Sequence, residues 1–164
     1  MSRKVQTRRE IVGKLAGAVQ QFVNRVTLFQ SSIAERLQLN PVDLFALFIL
    51  QKGEATKPSE LARALRVPSG TATKIVDRLE KGGFVVRSRS LTDRRGVLLR
   101  LVPERIASIE LMYQGMGEHF NSFIARASER ELRFLLDFLN SSSEAAIREQ
   151  RDAPLGDQAH GHPR

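Results

Sequence analysis

The chain has 164 residues, of which 41% are hydrophobic and 27% charged, so it fits one domain with a helical extension and is not globally disordered. It contains no cysteine, which excludes disulfides, thiolate nucleophiles and zinc–cysteine sites. Its net charge of +8 is segregated: residues 57–100 carry eleven basic and four acidic side chains, and residues 101–164 seven basic and ten acidic. This pattern favours a polyanionic partner, with an overall bias toward arginine as the plainer alternative.

No segment has the pattern of a signal peptide or a membrane span. The basic N-terminal residues 1–4 are followed by no unbroken apolar stretch. The longest apolar run, residues 44–50, is far shorter than the roughly 20 residues needed to cross a bilayer. We therefore expect a cytoplasmic protein with no membrane partner.

The first predicted element is a long amphipathic helix at about residues 7–37. Its apolar residues recur every three or four positions, which is typical of one helix face. A helix of roughly 30 residues exceeds the usual length, and its stripe needs more covering surface than one small domain offers. We expect a partner subunit to cover it, with Ile11, Leu15 and Phe22 as dimerisation residues.

Residues 40–43, Asn-Pro-Val-Asp, predict the start of a second helix. Asn suits the N-cap, Pro the first helical position, and Asp the first turn, near the positive end of the helix dipole. The apolar run that follows predicts a buried, central helix that ends near Gly53. A short third helix is expected with Pro58 in its first turn.

Residues 67–70, Val-Pro-Ser-Gly, predict a tight turn before a fourth helix. The inward face of that helix is predicted to consist of Ala72, Ile75, Val76 and Leu79. Two short helices joined by a tight turn predict a helix-turn-helix. Small hydrogen-bonding side chains at the start of its second helix suit entry into the major groove, although they are also common helix caps. The candidate DNA-binding residues of this recognition helix are Ser69, Gly70, Thr71, Thr73, Lys74 and Arg78.

Two β-prone runs, Phe84–Arg89 and Val97–Val102, predict a β-hairpin directly after the helix-turn-helix. In the first run, alternation places Phe84 and Val86 on one face and Arg87 and Arg89 on the other.

The hairpin tip, residues 90–96, carries two adjacent arginines. It is either an ordinary solvated turn with an incidental ion pair or a wing whose arginines enter the minor groove or clamp phosphate. In the second case Asp93 holds Arg95 in place through hydrogen bonds. The position after a helix-turn-helix favours a wing, and its candidate DNA-binding residues are Arg87, Arg89, Asp93, Arg94 and Arg95.

The last third of the chain predicts two more helices. Pro103 starts one that runs to about Ala127, and residues 128–131 fit a capping box for the next. Leu135 and Leu139 on this last helix are further candidate dimerisation residues. From residue 152 the chain is rich in Pro, Gly and polar residues, which predicts a flexible tail.

The expected fold is therefore mainly α with a small β-hairpin wing, in the α+β class. A winged helix-turn-helix at residues 38–102 lies between helical dimerisation regions at 1–37 and 103–151, and the tail covers 152–164.

This order of elements resembles the multiple antibiotic resistance regulator (MarR) family of bacterial transcription factors over about residues 9–149. The most specific motif is Asp93-Arg94-Arg95 followed by Leu99-Arg100-Leu101, and Thr73–Arg87 is similar to the family's recognition helix and strand entry. One departure is Leu101-Val102, where the family often has Leu-Thr. The resemblance implies a homodimer with intertwined terminal helices, bound to a pseudo-palindromic site in double-stranded DNA.

The resemblance also implies a repressor that a small aromatic or phenolic effector releases. Candidate pocket residues are Phe22, Phe45, Phe48 and Met112, and ordinary core packing is the alternative for each of them.

Two other classes of function are alternatives to this one. An enzyme is not expected, because the body of the chain has one histidine, His119, and none of the common catalytic or nucleotide-binding motifs. We also expect no metal site and no cofactor, and treat the His160 and His162 pair as incidental. The second class is a winged-helix module for non-specific or architectural DNA binding or for protein docking, since a fold does not settle a function.

Overall fold

The computed structural model describes residues 6–89 and 97–152. Eight elements follow in chain order: α1 (Arg8–Arg36), α2 (Pro41–Gln51), α3 (Pro58–Leu65), α4 (Ser69–Lys81), β1 (Val85–Arg89), β2 (Val97–Leu101), α5 (Pro103–Ile124) and α6 (Glu129–Asp152). This confirms the predicted fold class, with α5 ending three residues before its predicted end. None of the described helices is long and apolar enough to span a bilayer.

The chain forms two compact units that meet in sequence at Tyr113 and Gln114, inside α5. The predicted boundaries at 38–102 and of the flanking dimerisation regions remain predictions. The predicted tail lies, from residue 153 onward, outside the described residues.

Reciprocal capping boxes fix the starts of the longest helices. The backbone N–H of Thr7 donates to Glu10 Oε2 at 2.8 Å, and Thr7 Oγ1 accepts from Glu10 N at 3.3 Å. The predicted box at α6 is confirmed: Ser128 N donates to Glu131 Oε2 at 2.8 Å, and Glu131 N donates to Ser128 Oγ at 3.4 Å. Each box satisfies two backbone donors that a helix start would otherwise leave unpaired.

The core of the first unit lies where α2, α4 and the hairpin meet. Its fully buried side chains include Leu44, Leu47, Leu61, Ile75, Leu79 and Phe84. All four predicted inward residues of α4 are buried. The helix therefore has a packed face and an opposite face that is open to solvent.

The turn before α4 is shorter than predicted. Arg66 ends α3 in a left-handed conformation, with φ of 55°, and Pro68 is the N-cap of α4. Ser69 and Gly70, predicted as part of the turn, form the first helical residues, because the Pro68 carbonyl accepts from the N–H groups of Thr71 and Ala72.

The hairpin is antiparallel, with Val85 opposite Leu101 and Arg87 opposite Leu99. As predicted, Val86 lies on the opposite face of β1 from Arg87 and Arg89; Val85 is buried and Val86 is 46% exposed, while Phe84, predicted on the Val86 face, lies before the strand. Gly83 has a φ of +72°, so the chain turns sharply there and buries Phe84 before the strand's alternation begins.

Candidate nucleic-acid interface

The exposed face of α4 carries most of the predicted recognition residues. Ser69, Gly70, Thr71, Thr73 and Lys74 are all exposed. The Thr73 hydroxyl donates to the Ser69 carbonyl at 3.0 Å, so its oxygen can still accept a hydrogen bond from a ligand. The N-terminal half of α4 thus presents small polar groups and one lysine to solvent.

Arg78, the sixth predicted recognition residue, has an internal partner. Its Nε donates to Asp43 Oδ2 at 2.8 Å and its Nη2 donates to Asp43 Oδ1 at 2.6 Å. The Asp43 side chain is buried, and the Arg78 side chain is 42% exposed. The hydrogen bonds from Asp43 raise the pKa of the Arg78 guanidinium, because they favour its charged form.

Arg87, predicted as a wing residue, also binds carboxylates within the protein. Its Nη2 donates to Asp77 Oδ1 at 2.5 Å, and its Nη1 donates to Glu80. The hydrogen bond to Asp77, followed by that to Glu80, raises the pKa of Arg87. Both acids lie on α4, so Arg87 connects β1 to that helix.

The remaining wing residues divide into two groups. Arg89 is exposed at the end of β1. Asp93, Arg94 and Arg95 lie outside the described residues, and their role in DNA binding stays a prediction.

Other exposed cations of the first unit were not among the predicted site residues. Arg63 on α3 and Arg100 on β2 are exposed, and Arg100 lies opposite Val86 on the outer face of the hairpin. Their place in the basic segment 57–100 is a signal that could have identified them.

The predicted dimerisation residues are exposed apolar side chains. Ile11, Leu15 and Phe22 on α1 are between 51 and 55% exposed, and Leu135 and Leu139 on α6 are 38 and 50% exposed. Exposed apolar residues that repeat along one helix face are typical of a surface that another chain covers.

The structure brings two of the four predicted pocket residues together. Phe45 and Phe48 line a cleft of about 60 Å³ between α1 and α2, with Thr27 and Ser31 on its other side. Met112 packs at the edge of the core, and Phe22 is exposed.

Tyr113, which is not among the predicted pocket residues, lies beside this region. Its ring contacts Phe29 and Phe48 edge to face, at centroid distances of 5.3 and 5.5 Å. Its hydroxyl is buried and has no hydrogen-bond partner among the residues that the structure describes. Burial raises the pKa of this phenol. Most buried polar groups in folded proteins have a hydrogen-bond partner, so this hydroxyl is an exception.

Within residues 6–89 and 97–152, no group of three or more His, Asp or Glu side chains could hold a metal ion. The geometry of the first unit is instead that of a binding surface: α3, a tight turn, α4 and a β-hairpin. This arrangement defines a winged helix-turn-helix protein.

Comparisons with known proteins agree with this class. The MarR family model matches residues 39–97. The HTH-type transcriptional regulator YcgE of Bacillus subtilis strain 168 is 28% identical over 120 residues, which are 73% of this chain and 78% of that relative.

Two solved structures show the same fold. A MarR family protein from Bacillus stearothermophilus is 19% identical with a TM-score of 0.61, covering 87% of this chain and 99% of that one. Streptococcus pneumoniae FabT in complex with DNA is 20% identical with a TM-score of 0.63, covering 84% and 98%.

The matched family model and these relatives support a MarR family transcription regulator. MarR family transcription regulators are non-enzymatic DNA-binding proteins, which agrees with the prediction that this protein is not an enzyme.

Proposed function

We propose that the protein is a sequence-specific DNA-binding regulator of transcription, in which the exposed face of α4 reads the major groove. The observation that carries this proposal is the division of α4 into a packed face and a polar face with Ser69, Thr71, Thr73 and Lys74. Hydroxyl groups can bond base edges or phosphates, and a lysine contributes favourable contact with phosphate.

The surrounding charge supports the same partner. Arg63, Arg89 and Arg100 are exposed in the same compact unit as α4. Phosphate contacts from such side chains supply much of the affinity for DNA and make it depend on salt. FabT, which shares the fold, was solved in complex with DNA. Binding to the chromosome would place the protein in the cytoplasm.

The finer proposal is a homodimer on a pseudo-palindromic operator. The exposed stripe Ile11, Leu15 and Phe22 and the exposed Leu135 and Leu139 support a second copy as the covering surface. A twofold dimer would present its two α4 helices about one DNA turn, roughly 34 Å, apart.

We further propose that the regulator is a repressor released by a small aromatic or phenolic effector. The unpartnered Tyr113 hydroxyl, next to Phe48 and its cleft, supports an effector that supplies a hydrogen bond. The cleft of about 60 Å³ must widen, because pockets for small molecules usually exceed about 300 Å³. A hydroxybenzoate that weakens operator binding should itself bind less tightly to the DNA complex, since coupling between two sites is reciprocal.

The central experiment compares binding to DNA upstream of the protein's own gene with binding to scrambled DNA of equal length at matched salt. A specific regulator should prefer the first by roughly a thousandfold or more. Lys74→Ala should reduce the slope of log affinity against log salt concentration by about one, as expected for the loss of one phosphate contact. Lys14→Ala on α1 also removes one positive charge. It should leave the preference for the upstream DNA and the salt slope unchanged.

Equal affinity for the two duplexes would contradict sequence-specific regulation. It would favour the alternative of a winged-helix module for non-specific or architectural binding or for protein docking.

A further inference from the structure

Asp43 is the one charged residue that is fully buried among those that the structure describes. It lies in the first turn of α2, where its Oδ2 also accepts from the Asn40 backbone N–H at 3.4 Å. Burying a carboxylate is costly unless charge and hydrogen bonds compensate for the lost water. Arg78 supplies both, at 2.6 and 2.8 Å.

The Asp43–Arg78 pair fixes the relative orientation of the two side chains as well as the distance between them. Two donors of one guanidinium meet the two oxygens of one carboxylate, so the contact also fixes orientation. The inward residues of α4, Ala72, Ile75, Val76 and Leu79, are all apolar, and apolar packing is much less directional. The Asp43–Arg78 pair is therefore suited to setting the rotation of α4 about its own axis.

A second attachment acts on the same half of the helix. Arg87 from β1 binds Asp77 and Glu80. Asp77, Arg78 and Glu80 all lie in the C-terminal half of α4, which they connect to α2 and to β1. The exposed polar residues lie in the N-terminal half.

We propose that Asp43 is a positioning residue for DNA recognition, which acts through Arg78 to hold α4 at the rotation that presents its polar face to the bases. This inference rests on the proposed function. It assigns Arg78 the role of fixing α4 within the protein and not that of contacting DNA. Asp43 is buried and cannot touch DNA itself. Any effect of its loss on sequence discrimination must therefore be indirect, and its contact with α4 is the pair with Arg78.

The test uses the full-length protein and five variants: Asp43→Asn, Arg78→Lys, the double variant of these two, Arg78→Ala, and Glu129→Gln as a control. Glu129 forms an exposed ion pair with Arg133 on α6. Affinity is measured for the upstream and scrambled duplexes over a range of salt, at a temperature where circular dichroism shows every protein to be folded.

Asp43→Asn should lower the ratio of specific to non-specific affinity by about tenfold, comparable to one mismatched base pair, while the salt slope stays unchanged. Arg78→Lys should have the same effect, because lysine keeps the charge but loses the two-point geometry. The double variant should lose no more than either single one, as expected for two residues that act as a unit. Glu129→Gln should match the wild type.

If Asp43→Asn keeps the wild-type ratio of specific to non-specific affinity, the inference is overturned. A salt slope reduced by about one in Arg78→Ala while Asp43→Asn binds normally would also overturn it, because Arg78 would then contact phosphate. If the wild type does not distinguish the two duplexes, the proposed function fails instead. The amide NMR signals of α4 then still decide the structural part: they should shift in Asp43→Asn and not in Glu129→Gln, and unshifted signals would contradict it.

Discussion

The guanidinium of Arg105 lies over the ring of Phe84, 4.2 Å from its centroid. The backbone N–H of Val102 also donates to the Phe84 carbonyl at 2.9 Å. Phe84 is fully buried, so the start of α5 holds this side chain from one side while the turn after α4 closes the other. The junction between the helix-turn-helix and α5 is therefore closely packed around one aromatic ring.

Gly82 is the position where this packing is easiest to test. A Cβ at residue 82 would lie 2.9 Å from both Cδ2 and Cε2 of Phe84. Because the ring is held in place, Gly82→Ala should lower the free energy of unfolding by about 1–3 kcal/mol in urea denaturation. Gly70→Ala is the control, since its Cβ would meet nothing within 4 Å, and it should change stability by less than about 1 kcal/mol. Equal stability of the two variants would contradict the close packing.

The Asp43–Arg78 pair predicts an asymmetry in stability. Arg78→Ala leaves a buried carboxylate without its cation and should cost about 3–5 kcal/mol. Asp43→Asn leaves a partly exposed arginine that can turn toward solvent, and should cost about 1–3 kcal/mol. Thermal and urea unfolding of both variants measure the difference. A larger loss in Asp43→Asn would show that burial of the carboxylate is not the dominant cost.

The exposed stripe on α1 predicts where a dimer can be broken. Phe22→Asp should shift the protein toward monomers in sedimentation, because it places a charge on a surface that a second copy covers. Leu28→Asp is a matched control: Leu28 is exposed, but at six residues from Phe22 it lies about a third of a turn away from the stripe. An intact dimer in Phe22→Asp would show that the interface lies elsewhere.

Tyr113 predicts a pH dependence that is simple to observe, because it is the one tyrosine of the chain and there is no tryptophan. Burial raises its pKa above the ordinary value of about 10, so the folded state favours the neutral phenol. Its contribution to stability is complete below about pH 10 and is lost as the pH rises through the folded-state pKa. Tyrosinate absorbance should therefore titrate at a higher pH in the native protein than in denaturant. Identical midpoints would contradict the burial of this phenol.

Local patterns were enough to predict most of the fold. The apolar period of α4 identified its buried residues Ala72, Ile75, Val76 and Leu79. Residues on one helix face recur every three or four positions, so this pattern depends on the local sequence alone. The exposure of Ser69, Gly70, Thr71, Thr73 and Lys74 followed from the same period. The alternation in β1 placed Val86 and the two arginines on opposite faces as observed, but it could not show that the face of Val85 packs on the core, because that depends on how the hairpin docks.

The internal roles of the two arginines could not be read from the sequence. Asp43 and Arg78 are 35 residues apart, and their pairing depends on how α2 packs against α4. A charge on a predicted recognition helix is ambiguous between contacting DNA and holding the helix in place. Only the distances to Asp43, and those from Arg87 to Asp77 and Glu80, separate the two roles.

Sequencing the genomic DNA that the purified protein retains tests the central claim most directly. A pair of α4 helices that reads sequence should enrich a small set of sites, each with two inverted half-sites whose centres are about ten base pairs apart. Retained fragments spread evenly over the genome, with no shared motif, would contradict it.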